Sequence, residues 1–137
     1  KAGLSQLVES ASVEDAKKVL ATAVTPYWET HYTFGSTSVR NDKNLSPFSL
    51  NLLCINTVVP ILFAYGRHRG EEKYCDRAFD FLEQLRPENN YIIRLWQQSG
   101  LVVDNAGDSQ ALIQLKKEYC DKKECMRCRF GYEYLKL

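Results

Sequence analysis

The stretch that decides the fold covers residues 46–70 and reads SPFSLNLLCINTVVPILFAYGRHRG. Ser46 followed by Pro47 is typical of a helix N-cap and first helical position. Residues 48–65 are apolar on nearly every face, which is typical of a central helix that its neighbours bury. Pro60 lies inside this helix and has no N–H to donate, so the sequence predicts a kink or a split there.

A second helix is predicted before this stretch. Ser12 is a candidate N-cap for it, and Asp15 follows three residues later in a variant of the capping box. Pro26 ends this helix. The segment that follows has no sustained period and several small polar residues, so we expect a long ordered loop with a short helix around Tyr27 to His31.

Three more helices are predicted after the central one. Residues 71–85 are amphipathic and carry acidic residues in the first turn. Residues 90–100 hold a short helix between an Asn cap and a Gly. Residues 108–120 form the last long helix, with Asp108 or Ser109 as its N-cap.

These elements predict an all-α fold. We expect a single helical domain over residues 1–137, with five or six helices around the buried central helix and a cysteine-containing C-terminal turn. Strand signals are weak, so no sheet of three or more strands is expected. The predicted core residues are Leu53, Val58, Ile61, Leu62, Phe79, Leu82, Ile92, Leu95, Trp96, Leu112 and Leu115.

Composition limits the class of protein. The chain has 137 residues, of which 45% are hydrophobic and 12% aromatic, and this is enough for one packed domain. A formal charge of +1 argues against strong duplex binding. No signal peptide is visible, and the longest apolar run, residues 52–65, is too short and too polar to span a bilayer. Five cysteines, an odd number, are typical of reduced thiols, so we expect a cytoplasmic protein without membrane contact.

Three of the cysteines form a C-x4-C-x2-C motif near the C-terminus: Cys120, Cys125 and Cys128. A C-x2-C turn can direct two sulfurs at one ion, and structural zinc takes four thiolate or imidazole ligands. The motif is therefore a candidate zinc site. The alternative, which we prefer, is that the thiols pack the C-terminal turn, because a free cysteine behaves as a small hydrophobe. The fourth zinc ligand would come from water, His31, His68 or Cys75.

The same segment suggests nucleic-acid binding as an alternative function. Zinc-knuckle modules combine cysteines, basic residues and aromatic residues, and basic side chains contact phosphates while aromatic rings stack on bases. Glu118, Asp121 and Glu124 lie between the basic residues, which instead favours a solvated surface with local ion pairs. The candidate phosphate-binding residues are Lys116, Lys117, Lys122, Lys123, Arg127 and Arg129.

A catalytic site has one candidate pair. His31 lies in YWETHYTFG with Glu29 close by, and such a histidine can act as a general base. More often it is hydrogen-bonded within an aromatic cluster. No phosphate loop, nucleophile elbow or HExxH helix is present in the sequence. We therefore expect that this chain alone is not an enzyme.

Four blocks of sequence carry a resemblance. They read YWETHYTFG, INTVVPILFAYG, RPENNYIIRLWQQSG and DSQALIQLKKEYCDKKECMRCRFG. In this order, from about Tyr27 to Gly131, they resemble the C-terminal part of domain-of-unknown-function family 2851, whose members are uncharacterised bacterial proteins of greater length. The resemblance implies a cytoplasmic bacterial protein and no particular activity. Together with the start at Lys1, it implies the C-terminal domain or a fragment of a longer protein.

The sequence thus favours an interaction or scaffolding domain. Its expected partners are proteins, including its own missing N-terminal region. The first alternative is a zinc-stabilised nucleic-acid-binding module that uses the cysteine motif and the basic residues around it. The second alternative is an enzyme whose pocket centres on His31 and Glu29.

Overall fold

A computed structural model describes residues 3–135, without the side chains of Leu4 and Tyr134. The chain forms two compact units, the first up to Phe81 and the second from Leu82 onward. Helices dominate both units, so the all-α fold class is confirmed. The expectation of one domain over residues 1–137 stays a prediction.

The first unit holds six α-helices and one small hairpin among its described residues. Helix α6 begins in this unit and continues beyond Phe81. The elements are α1 (Leu4–Glu9), α2 (Val13–Leu20), α3 (Pro26–Glu29), β1 (His31–Thr33), β2 (Ser36–Thr37), α4 (Pro47–Leu53), α5 (Val59–Arg69) and α6 (Glu72–Gln84).

The second unit holds three further α-helices in its described part. The elements are α7 (Tyr91–Gln98), α8 (Ala106–Leu115) with a π-helical extension (Lys116–Cys120), a 3₁₀ turn (Cys125–Arg127) and α9 (Arg129–Leu135). Helices α1 and α9 come in addition to the predicted set. Each is less than two turns long, which is too short for the helical period to show in the sequence.

Two predicted N-caps of the first unit are confirmed. The Ser12 hydroxyl oxygen accepts a hydrogen bond from the Asp15 N–H at 3.1 Å. The Ser46 hydroxyl oxygen accepts one from the Ser49 N–H at 3.1 Å, and Pro47 occupies the first helical position. The predicted loop after Pro26 contains the predicted short helix, α3, and the two-stranded hairpin β1–β2 that was not predicted.

The central helix is not split at Pro60. Helices α4 and α5 are joined through a π-helical segment, Cys54–Val58, into one helix, Pro47–Arg69. The Val59 N–H donates to the Cys54 carbonyl, five residues back, so the wider turn comes directly before the proline. A proline removes an N–H donor and crowds the preceding turn, and a π-bulge accommodates such an irregularity without ending the helix. Of the two predicted outcomes, the split is therefore wrong, and the kink stays a prediction.

Only part of the central helix is buried. Its buried stripe includes Cys54, Val58 and Leu62, each fully enclosed, and α2 packs against α4 and the π-helical segment. Phe48 and Phe63 are exposed by 58% and 40%. One long stripe of apolar side chains therefore faces the core while other apolar side chains face solvent.

The length of the central helix bears on membrane contact. Its 23 residues, with a mean hydropathy of 1.7 over an 18-residue window, would satisfy a membrane span by length and composition alone. The core helix of a soluble protein meets the same two criteria. The helix is therefore longer than the apolar run of residues 52–65, and the prediction that this segment is too short for a bilayer was wrong. The absence of membrane contact stays a prediction.

The second unit has its own hydrophobic core. Ile93, Val103 and Leu112 form its buried cluster, and Trp96 packs against them. The Trp96 Nε1–H donates to the Leu112 carbonyl at 3.1 Å, so the indole ties α7 to α8 by both an apolar and a polar contact.

Burial confirms part of the predicted core. Phe79 and Leu95 are wrong, since 56% and 46% of these residues are exposed. Phe79 comes directly after the buried Ala78 in α6, and Leu95 comes directly before the partly buried Trp96 in α7. Val58, Leu62, Ile92 and Leu112 are buried, and Leu53, Ile61, Leu82, Trp96 and Leu115 are partly buried.

The predicted N-cap of α8 was wrong. Asn105 is the N-cap, three or four residues before the two predicted candidates, and its Oδ1 accepts from the Asp108 N–H at 3.0 Å. Asp108 is the reciprocal member of a capping box, because its carboxylate accepts from the Asn105 N–H. Ser109 is buried inside the helix, where its hydroxyl donates to the Ala106 carbonyl and accepts from the Glu88 N–H.

Replacing this cap should destabilise α8 measurably. We expect Asn105→Ala to lower the free energy of unfolding by about 1 kcal/mol, because the N–H of Asp108 loses its acceptor. Urea titration followed by circular dichroism measures the change. Asn105→Ser is the matched control, since it keeps an oxygen acceptor and should lose only a few tenths of that value. Equal losses in both variants would contradict the cap.

Candidate functional site

The candidate catalytic pair is held by structural contacts. The His31 Nδ1–H donates to the Tyr27 carbonyl at 2.8 Å, and the two rings stack with centroids 3.9 Å apart. Glu29 forms an ion pair with Arg40 at 2.6 Å. These contacts match the hydrogen-bonded aromatic cluster, and the ion pair with Arg40 engages the carboxylate of Glu29.

The cysteine motif follows the end of α8. Cys120 ends the π-helical extension, and its carbonyl accepts from the Lys123 N–H at 3.1 Å. The 3₁₀ turn then brings the Cys128 N–H to the Cys125 carbonyl at 3.2 Å. Cys120 and Cys125 are exposed, whereas Cys128 is only 6% exposed. One thiol therefore packs inward and two face solvent.

The surroundings of Cys120 favour its protonated thiol. Desolvation raises the pKa of Cys120, and the neighbouring Cys128 and Cys125 raise it further because thiolates repel one another. A zinc ligand is a thiolate. Among residues 3–135 no group of three His, Cys, Asp or Glu side chains is arranged to hold a metal ion. Zinc binding by the motif stays a prediction for which this geometry supplies no support.

The basic residues near the motif are mostly ion-paired with local acids. Four of the six candidate phosphate-binding residues have an acidic partner. The other two, Lys117 and Lys123, have none in the described chain. Such pairs neutralise the surface and compete with phosphates. The pairs are Lys116–Asp121, Lys122–Glu118, Arg127–Glu124 at 2.7 Å and Arg129–Glu133 at 3.2 Å.

A different feature stands out in the first unit. Phe63 of α5 and Phe79 of α6 stack edge to face with ring centroids 5.7 Å apart, and 40% and 56% of these residues are exposed. They lie at an open groove of about 440 Å³ between the two helices. We call this site the aromatic groove; the side chains that line it are those of Phe63, Arg67, Glu72, Cys75, Asp76 and Phe79.

A close helix contact forms the floor of the aromatic groove. A Cβ added to Gly66 would lie 2.8 Å from the Cys75 sulfur and 3.0 Å from the Glu71 carbonyl oxygen, so only glycine permits this approach of α5 and α6. The Cys75 thiol donates to the Phe63 carbonyl at 3.6 Å. The floor is therefore tightly packed, and this contact holds together the two helices that carry the phenylalanines.

The rim of the aromatic groove carries both signs of charge. Arg67 belongs to α5, and Glu72 and Asp76 belong to α6. Within residues 3–135 none of the three makes an ion pair. An exposed aromatic pair beside unpaired charges has the composition of an interaction surface.

The sequence carries a signal for this groove that the prediction missed. Phe79 lies three residues after Asp76, seven after Glu72 and four before Glu83, so it is apolar on the charged face of α6. Its apolar side chain by itself favours a place in the core. Its position on the helix, rather than its chemistry, distinguishes it from the buried Phe81.

Comparison with known protein families gives one match. Residues 1–91 match the family described as "Protein of unknown function (DUF2851)". No curated protein and no solved structure matches the chain. The match starts before Tyr27 and ends before the cysteine motif, so the resemblance of the cysteine block, the bacterial origin and the C-terminal placement stay predictions. Since the match covers more than half of the 137 residues, the chain belongs to the protein family of unknown function DUF2851.

Proposed function

We propose that the chain is a helical interaction domain that binds a protein partner through the aromatic groove. The observation that carries this proposal is the Phe63–Phe79 pair. Its rings make an edge-to-face contact next to the close helix contact at Gly66, and both residues are exposed to solvent. Exposed aromatic side chains at the centre of a surface and charges at its rim are the usual arrangement of energetic hot spots.

The other candidate functions have weaker geometric support. The enzyme alternative needs Glu29 and His31 to act together, and Glu29 is instead ion-paired with Arg40 at 2.6 Å. The nucleic-acid alternative needs unpaired basic residues. Ion pairs with acids reduce the number of such residues, because they engage Lys116, Lys122 and Arg127. The aromatic groove needs no rearrangement, because a partner side chain can contact both rings as they stand.

A photo-cross-linking experiment tests this function. The photoreactive residue p-benzoylphenylalanine is placed at position 79 in one variant and at position 34 in a matched control, and both are expressed in the cells from which the chain comes. Phe34 is an exposed aromatic residue of the same unit, in the hairpin, and does not line the groove. We expect a defined protein adduct from position 79 and none from position 34.

A binding measurement completes the test. The captured protein, once purified, should bind the native chain and lose about tenfold in affinity for Phe79→Ala, which corresponds to roughly 1.4 kcal/mol. No adduct at position 79 beyond that at position 34 would refute the proposed function. An unchanged affinity of Phe79→Ala would refute it as well.

A further inference from the structure

The charges of the aromatic groove specify more than an apolar partner. Arg67, Glu72 and Asp76 line the same groove as the two phenylalanines and have no ion-pair partner in the described chain. A purely apolar occupant would partly desolvate these charges without pairing them, which has a cost. An occupant that brings both an acid and a base to the rim avoids that cost.

A single-sign partner pairs with only some of these charges. A basic segment would pair with Glu72 and Asp76 and face Arg67 with a like charge, and an acidic segment would do the reverse. The sign also differs between the two helices, since α5 supplies the base and α6 supplies the acids. A surface of this kind is complementary to itself.

We infer that the partner of the aromatic groove is a second copy of this chain, bound about a two-fold axis. This inference rests on the proposed function of the groove as an interaction surface. In a two-fold dimer the same patch serves both protomers, and each contact occurs twice. Arg67 of each protomer then pairs with Asp76 or Glu72 of its partner, and the four phenylalanine rings of the two grooves form the apolar centre.

Sedimentation velocity of the purified chain tests the dimer directly. At protein concentrations up to about 100 µM we expect a reversible shift from the 15.8 kDa monomer to twice that mass. Raising the salt concentration should weaken the association, because the rim pairs are solvent-accessible. A monomer over the whole concentration range would overturn the inference.

Charge reversal tests the arrangement of the rim. Arg67→Glu and Asp76→Arg each place like charges opposite one another in a homodimer, so each variant should associate at least tenfold more weakly than the native chain. An equimolar mixture should regain the native affinity, because one variant then presents only acids and the other only bases at these positions. Both residues are exposed, so thermal melting checks that the variants fold. Native-like association of either single variant, or no recovery in the mixture, would overturn the inference.

The cross-link at position 79 separates this inference from the proposed function. An adduct with the mass of two chains supports both. An adduct with a different protein, without self-association in sedimentation, keeps the proposed function and overturns the dimer. Absence of any adduct refutes the function of the groove itself.

Discussion

Phe81→Ala is expected to lower the free energy of unfolding by about 3–5 kcal/mol, because truncating a buried phenylalanine loses its transfer free energy and leaves a cavity. Phe81 is among the largest fully enclosed side chains of the described residues, with 1% exposed. A domain of this size is stable by only about 5–15 kcal/mol. The loss should therefore lower the urea midpoint substantially, and circular dichroism and tryptophan fluorescence measure it.

The matched control lies two residues away on the same helix. Phe79→Ala removes the same atoms from a residue that is 56% exposed, so we expect a loss of about 1 kcal/mol, chiefly the edge-to-face contact with Phe63. Both variants make the same Phe→Ala change, so Phe81→Ala reports on stability and Phe79→Ala reports on binding. Losses that agree within about 0.5 kcal/mol would contradict the burial assigned to Phe81.

The sequence predicted most helices because their start signals are local. A cap such as Ser12, Ser46 or Asn90 acts on an N–H two or three residues later, so it is visible in a short window. The cap of α8 was misplaced because Asp108 is itself a common cap residue. The structure uses it at the third helical position, where it accepts from the Asn105 N–H.

The π-helical segment before Pro60 is less accessible to sequence reasoning. A proline within an apolar run indicates that one helical hydrogen bond is missing. The backbone can accommodate this loss in several ways, such as a break, a kink or a wide turn. The choice between a break and a wide turn depends on packing. Here Cys54 and Val58 stay buried on one stripe through the irregular turn, which favours a continuous helix.

The candidate site shows the same division between local and tertiary information. The off-stripe position of Phe79 is a local signal in α6, but the groove also needs Phe63 and Gly66 of α5. No spacing rule relates residues on two helices that meet through tertiary packing. For the cysteine motif, spacing indicated a turn and the structure contains one, while the inward packing of Cys128, between that turn and α9, is a tertiary feature.

That inward packing leads to the second large effect, at Gly131. A Cβ added to Gly131 would lie 2.2 Å from the Cys125 carbonyl oxygen and 2.8 Å from its carbonyl carbon. Both atoms belong to the backbone, so no side-chain rotation relieves the overlap. Gly131→Ala should therefore push α9 away from the 3₁₀ turn, against a helix start that the Tyr132 N–H and Cys128 carbonyl hold at 2.8 Å.

The expected readout is the number of reactive thiols. In the native chain Cys120 and Cys125 are exposed, while Cys54, Cys75 and Cys128 are buried, so two thiols should react rapidly with a disulfide reagent and three slowly. In Gly131→Ala the displaced helix uncovers Cys128, and we expect three rapid thiols, with the third reacting at least about tenfold faster than before.

A second glycine substitution controls for the added methyl group. In Gly3→Ala the new Cβ meets only the Ser5 hydroxyl oxygen, at 3.4 Å, which is ordinary contact, so two rapid thiols should remain. Mass spectrometry of the labelled peptides identifies Cys128 as the third site. Two rapid thiols in Gly131→Ala would mean that α9 does not shield Cys128, and the inward packing of this thiol would then need another cause.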